Sequence, residues 1–519
     1  MKLAHNELTV SLISAIVCFT CLVATANNDH LYEDDDDDGM LQVATTSGAV
    51  RGMRRHVLGE ELHVFLGIPF GKPPVGEYRF RRPEPIPPWE GIYEATRLPN
   101  SCMQDKNEYF PGFRGEEMWN PNTNLSEDCL YLNVWVPARV RRQRDTPASV
   151  MIWIYGGSYM SGTSTLQLYD GSILATMNGV IVASINYRVG VFGFLYFGTD
   201  DAPGNAGLYD QKLALEWLNA NVRSFGGNPE SMTIFGESAG SGSVTVHLLS
   251  PATRHLVTRG IMQSGTVNAP WSFMTAETAL TRSLALANLL GCNTMDKERS
   301  TVLACLLDMP ATTLSNGQWS LYASILTFPF CPTVDGYFLT KSPQELLRDG
   351  DFKRENILLG SNLNEGTYFI LYDFMNYFDK DGPSLLKREE MMEMVGSIFR
   401  SFSQIEKEAV GFQYTDWEAP SDGRVNRDSV GDMVGDYFFV CPMNHFAQAY
   451  AAQGVNVYYY YFTHRTSVSP WGAWMGVMHG DEIEYVFGRP LNRSLNFTQA
   501  ERELSQRIMN YFANFAKTG

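Results

Sequence analysis

Residues 232–251 read MTIFGESAGSGSVTVHLLSP. The opening Met232 to Phe235 is short and apolar, as a buried strand would be, and the run beyond Gly240 is helical as far as Pro251. Between them stands Gly236-Glu237-Ser238-Ala239-Gly240, a G-x-S-x-G pentapeptide in strand-turn-helix context. So sharp a turn strains the backbone at the serine. Glycines are needed on either side, where a Cβ would clash, and the hydroxyl is thrown out above the sheet. The helix that follows aims unpaired N–H groups at the same point. The pentapeptide by itself is a weak signal, and its context makes Ser238 a candidate nucleophile.

Outward from this turn, the same texture recurs. Ser149 to Tyr155, Val180 to Tyr187, Ile357 to Gly360 and Val455 to Phe462 are short, rich in β-branched or aromatic residues and bounded by Gly, Pro or Asn. They read as further buried strands. Leu208 to Phe225 and Thr275 to Leu290 space Leu, Ala and Trp as helices do. Helices placed between largely parallel strands predict an α/β architecture. No internal repeat or Pro/Gly/Ser linker divides the chain, so residues 41–519 read as one domain. Arg139, Arg141, Arg142 and Arg144 crowd one connection, read as a solvated hairpin loop.

A serine hydroxyl attacks poorly unless a base removes its proton and a third group holds that base. In this fold class the acid and then the histidine follow the serine in the chain. His247 falls in the helix after Ser238 and reads as structural; His255, His445 and His464 lie on a short connection or in or beside regular elements. His479 sits in the glycine-bracketed loop Trp474 to Gly480, where an imidazole can be presented to a site. Glu365 follows the strand Ile357 to Gly360, at the sheet edge where α/β proteins keep their chemistry. Asp436 is the rival acid. Tyr155-Gly156-Gly157-Ser158-Tyr159 follows another strand. Gly157, Ser158 and Ala239 are therefore the candidate oxyanion donors.

The 519 residues carry 40 Lys+Arg against 57 Asp+Glu, a net −17, with 19% charged and 13% aromatic residues. That composition excludes a disordered chain and argues against nucleic-acid binding. Lys2, the apolar run Leu8 to Ala24 and Ala24-Thr25-Ala26 read as a secretory signal over residues 1–26, and no later apolar run spans a membrane. Glu33 to Asp38 is wholly acidic, making residues 27–40 a solvated tail. In an exported chain disulfides are permitted. Cys102, Cys129, Cys292, Cys305, Cys331 and Cys441 remain after the signal, and nearest-neighbour closures pair Cys102 with Cys129 and Cys292 with Cys305. Sequons at Asn124, Asn492 and Asn496 fit an exported surface, with both members of the last pair not expected to be used together. No metal-ligand spacing is present and no cofactor is implied.

Further runs are Glu117-Met118-Trp119-Asn120-Pro121, Ser126-Glu127-Asp128-Cys129-Leu130-Tyr131, Asn426-Arg427-Asp428 and Phe512 to Gly519. With Phe235 to Gly240 and Trp474 to Gly480, they resemble the cholinesterases of the type-B carboxylesterase family, most of all the arthropod members, over essentially all of residues 40–519. The resemblance implies an α/β-hydrolase fold with a large mixed, mostly parallel sheet flanked by helices. It implies hydrolysis of acetylcholine by Ser238, His479 and Glu365 through an acetyl-serine, in a secreted, synaptic or cell-surface homodimer. It implies the same two disulfides, and for Cys441 a partner beyond residue 519 in a C-terminal segment that would also carry membrane or tail attachment.

Choline's quaternary ammonium has no N–H, so aromatic faces grip it, each contributing roughly 0.5–2 kcal/mol. The resemblance makes Trp119 that platform, with Tyr368 opposite and Glu237 supplying charge. Trp271, Phe328 and Phe369 would line the acyl side, and Trp319 and Tyr372 an outer cation site. Two departures stand out. Ser158 replaces a third glycine, which in arthropod relatives accompanies insecticide insensitivity. Asp105 and Met160 stand where vertebrate relatives place rim tyrosines. The alternatives are a broad-specificity carboxylesterase, which would not need Trp119, and a non-catalytic adhesion relative, which would not need the triad.

Overall fold

The computed structural model describes residues 40–142, 145–292 and 297–519. The expected signal segment, the acidic stretch as far as residue 39, and Arg144 lie outside the described residues. The first strand opens at Met40, one residue inside the segment expected as tail.

An 11-stranded sheet forms the centre. Its N-terminal strands are β1 Met40–Thr45, β2 Gly48–Val57, β3 Glu60–Pro69, β4 Ile92–Glu94 and β5 Tyr131–Pro137. The remaining strands are β6 Ala148–Ile154, β7 Ile181–Ile185, β8 Gly227–Glu237, β9 Arg259–Gln263, β10 Ile357–Asn362 and β11 Val457–Phe462. Their order is β1-β2-β3-β5-β7-β6-β8-β9-β10-β11, with β4 paired to β2. Pairing is antiparallel from β1 through β5 to β7 and parallel from β7 onward. The sheet is therefore mixed and mostly parallel on the side that carries Ser238.

Burial explains which strands were legible. β6 and β7 show almost no solvent exposure, as both faces are covered, and their uninterrupted β-branched and apolar runs declare it. β1 and β2 alternate buried with half-exposed residues, and β9 is only Arg-Gly-Ile-Met-Gln. β11 departs from the expected buried strand. It ends the sheet order, and Tyr458, Tyr459 and Tyr461 are 46%, 40% and 55% exposed. Aromatic content alone does not separate an edge strand from an inner one.

Helices that matter for the site are α1 Ala206–Asn221, α2 Ala239–Leu249, α3 Ala276–Leu289, α4 Thr367–Asp373, α5 Gly423–Gly435 and α6 Gln499–Thr518. The arginine-rich connection expected as a loop folds as a helical turn, Ala138–Arg142, in which Arg139 donates to the Thr176 carbonyl. Among the described residues no helix is long and apolar enough to cross a membrane, and no acidic or thiol-imidazole cluster is arranged to hold a metal ion. Cys102 is bonded to Cys129 and Cys292 to Cys305, while Cys331 is a buried thiol and Cys441 an exposed one.

Candidate active site

Ser238 joins β8 to α2 at φ 56° and ψ −123°, a conformation costly for any residue with a Cβ. Close packing holds it there. A Cβ on Gly236 would stand 2.5 Å, and one on Gly240 2.0 Å, from the Ile154 carbonyl oxygen at the end of β6. The Ser238 N–H donates to the Gln263 carbonyl, and its own carbonyl accepts from Gly242. The flanking glycines are thus required by the backbone of the neighbouring strand, and the turn is fixed from both sides.

His479 and Glu365 meet across more than a hundred residues of chain. His479 Nδ1 and Glu365 Oε2 are 2.6 Å apart, and Glu365 Oε1 accepts from the Asn362 backbone N–H at 2.7 Å. Both carboxylate oxygens are engaged, which fixes its orientation. The two loops are laced together. Asn364 N–H donates to the Val477 carbonyl, Val477 N–H to Asn364 Oδ1, and Asn362 Nδ2 to the Met478 carbonyl. Gly476, at φ 65°, leaves space that Asn364 Oδ1 fills; a Cβ there would lie 2.0 Å from it. Asp436, the rival acid, accepts instead from the Tyr414 hydroxyl at 2.8 Å. His247 is buried against Gln211, and desolvation pulls it down to about 3, so it stays neutral.

A cavity of about 160 Å³ is lined by Ser238, His479, Glu237, Trp119, Gly157, Ser158, Tyr368, Phe369 and Trp319, among others. His479 Nε2 lies 3.1 Å from Glu237 Oε1, yet among the described residues neither atom makes a hydrogen bond. Burial drives Glu237 toward its protonated form. Burial pulls His479 the other way, but Glu237 and Glu365 outweigh it and favour the imidazolium. Each group favours the charged form of the other, the imidazolium lowering Glu237 and the carboxylate raising His479. Beneath them Glu482, itself raised by burial, is held by Gln263 and Asn362.

Gly157 (φ 113°) and Ser158 (φ 61°) shape the wall beside the serine, and Ala239 begins α2. Among the described residues none of these three N–H groups has a protein acceptor. Free donors beside a nucleophile are what a developing oxyanion requires.

Residues 39–519 match the model of the Carboxylesterase family. The chain belongs to the carboxylesterase family. It is 56% identical over 511 residues to an acetylcholinesterase of Leptinotarsa decemlineata, covering 95% of this chain and 81% of the relative. It is 46% identical over 522 residues to a cholinesterase of Mus musculus, covering 100% of this chain and 84% of that protein. This carboxylesterase is a serine carboxylic ester hydrolase with the α/β-hydrolase fold.

Within the carboxylesterase, Trp119 approaches the histidine loop through Gly480. A Cβ on that glycine would be 3.1 Å from the indole and 3.5 Å from Glu237 Oε1. The indole, the carboxylate and the histidine loop therefore converge. The Trp119 loop is closed by the Cys102–Cys129 bond and held by Glu116, fully buried, which accepts from the N–H groups of Tyr109 and Phe110. Phe369 stands 5.0 Å from the His479 ring.

Trp271, Phe328 and Tyr372 do not line the cavity. Trp271 donates to the Phe438 carbonyl and packs on Phe439; Phe328 packs on Tyr322; Tyr372 packs on Tyr368 and Tyr109. Tyr372 stands one layer behind the lining, and the other two lie deeper. Met160 is buried rather than at a rim, whereas Asp105 lines the cavity and accepts from Ser315. Phe439 stands 4.6 Å from the His479 ring, a neighbour that no local sequence pattern announces. Tyr169 and Gln104 also reach the cavity from positions without a motif.

The sequons separate clearly. Asn124 and Asn496 are exposed, but Asn492 is 7% exposed and its amide oxygen accepts from Ser494 N–H and Oγ. Asn492 is therefore the one sequon asparagine that the fold buries.

Proposed function

We propose that this carboxylesterase hydrolyses acetylcholine to choline and acetate through an acetyl-Ser238 intermediate. The observation that carries the reading is the convergence of Ser238, the bonded pair His479 and Glu365, and the Trp119 indole on one cavity. Ser238 Oγ attacks the ester carbonyl as His479 Nε2 takes its proton, and Glu365 steadies the resulting imidazolium. The N–H groups of Gly157, Ser158 and Ala239 meet the oxyanion, each contributing about 10²–10³ in rate. The proton returns to the departing choline, and water repeats the sequence on the acetyl-enzyme. Trp119 and Tyr368 hold the quaternary ammonium by their ring faces, with Glu237 adding charge. Phe369 lines the acyl side with Trp271 and Phe328 set behind it, and Trp319 marks an outer cation site with Tyr372 packed behind Tyr368.

The same reading places the enzyme outside the cell, at synapses, as a homodimer glycosylated at Asn124 and Asn496. The test compares acetylcholine with its uncharged isostere 3,3-dimethylbutyl acetate. The parent should favour the charged ester, Trp119→Ala should erase that preference, and Ser238→Ala should abolish both activities. Equal turnover of the two esters by the parent would instead mark a broad-specificity esterase.

A further inference from the structure

The segment from Tyr322 to Phe328 lies beside the cavity residue Trp319 and folds as a tight loop. Ser324 N–H donates to Thr327 Oγ1, Thr327 N–H donates back to the Ser324 carbonyl, and Leu326 is held at φ 56°. Both ends are tied to the body of the protein. Arg400 donates to the Ala323 carbonyl at 2.9 Å, and Arg282 to that of Phe328. The middle is tied differently. Leu326 N–H donates to the Tyr322 hydroxyl at 3.1 Å, and that hydroxyl lies 3.0 Å from both oxygens of Asp373.

Asp373 is the last residue of α4, the helix that carries Tyr368, Phe369 and Tyr372. A carboxylate at a helix C-terminus faces the negative end of the dipole, a poor place for charge. Among the described residues no Lys or Arg side chain acts on it. Burial pushes it up to about 6, against the Tyr322 hydrogen bond. The phenol is thus its chief partner, and one hydroxyl joins the loop to the aromatic wall. The Tyr322 ring also packs on Phe328 at 6.0 Å and on Trp319 at 6.3 Å.

We infer that Tyr322 and Asp373 form a latch that fixes the loop bearing Phe328 against α4 and thereby limits the length of acyl group the enzyme accepts. They are positioning residues, acting through Phe328 and Leu326. The inference rests on the reading above, in which Phe328 is set behind the acyl side and backs it. Breaking the latch leaves both arginine ties in place, so the loop's middle loosens while the fold persists.

The test is the ratio of kcat/KM for butyrylcholine to that for acetylcholine, measured on the full chain. Asp373→Ala and Tyr322→Phe should each raise the ratio about tenfold, the scale on which pockets discriminate by methylene groups. Asp373→Asn, whose amide oxygen still accepts from the phenol, should stay near the parent ratio. An unshifted ratio in Tyr322→Phe, which removes one oxygen only, overturns the latch even if Asp373→Ala does not fold. Equal losses on both esters overturn it too, since they mark a merely structural role. A parent that hydrolyses neither choline ester sinks the underlying reading and the latch together; a parent that prefers acetyl while its variants do not shift sinks the latch alone.

Discussion

Glu237 and His479 show how a single charge sets the working range of a base. When ionised, Glu237 favours the imidazolium, and only neutral imidazole can accept the serine proton. Removing that charge therefore lowers the histidine pKa. In Glu237→Gln the acid limb of the kcat/KM profile should move to lower pH, by on the order of one unit, which a pH-rate series measures. A limb that stayed put would show that Glu237 is already uncharged in the free enzyme. Ser158 is the second decisive residue. It holds φ 61° where glycine is unstrained, and its side chain lines the cavity. Ser158→Gly should raise carbamoylation and phosphorylation rates about tenfold or more while acetyl ester turnover changes little. Equal inhibition rates in the two proteins would remove Ser158 as the determinant.

Elements meet at this site through backbone approaches that leave no room for a side chain. The β8-to-α2 turn presses against the end of β6, so Gly240→Ala drives a methyl into the Ile154 carbonyl. The variant should lose about 2–4 kcal/mol of stability and most of its activity, read by denaturant unfolding and ester hydrolysis. Near-parent stability would mean that β6 yields more than its pairing suggests. The histidine and acid loops are likewise a single element in practice, since Asn362 and Asn364 bond both. The pentapeptide and the glycine-bracketed His479 were legible because each is a local pattern. The asparagines carry no local pattern, and their importance lies in partners more than a hundred residues away.

At the scale of the whole molecule, a buried ion pair ties the sheet to α1. Arg188, 2% exposed, donates to both oxygens of Asp210 and to the Arg79 carbonyl. Asp210→Asn should cost about 3–5 kcal/mol, measurable as a lower unfolding midpoint, because it leaves a buried guanidinium uncompensated. Replacing both partners with apolar residues should cost less. The molecular surface makes a separate prediction. Peptide mapping of secreted protein should find glycan on Asn124 and Asn496 and none on Asn492, whose side chain the fold buries. Glycan on Asn492 would show that burial in the folded chain does not prevent its modification.

The amino-acid order by itself determined the α/β class, the serine turn, and the short list of acids and histidines that could serve it. These follow from local rules: periodicity, the steric demands of a strand-to-helix turn, and the company that glycine keeps. Which acid meets the histidine was decided only by tertiary packing, because Glu365 bonds His479 while Asp436 is taken by Tyr414. Packing likewise set Trp271, Phe328 and Tyr372 outside the cavity lining, placed Phe439 beside His479, and turned β11 into an exposed edge. The physical reason is the same in each case. A side chain's partners across the sheet depend on which strands become neighbours, and neighbourhood among strands is a property of the assembled core.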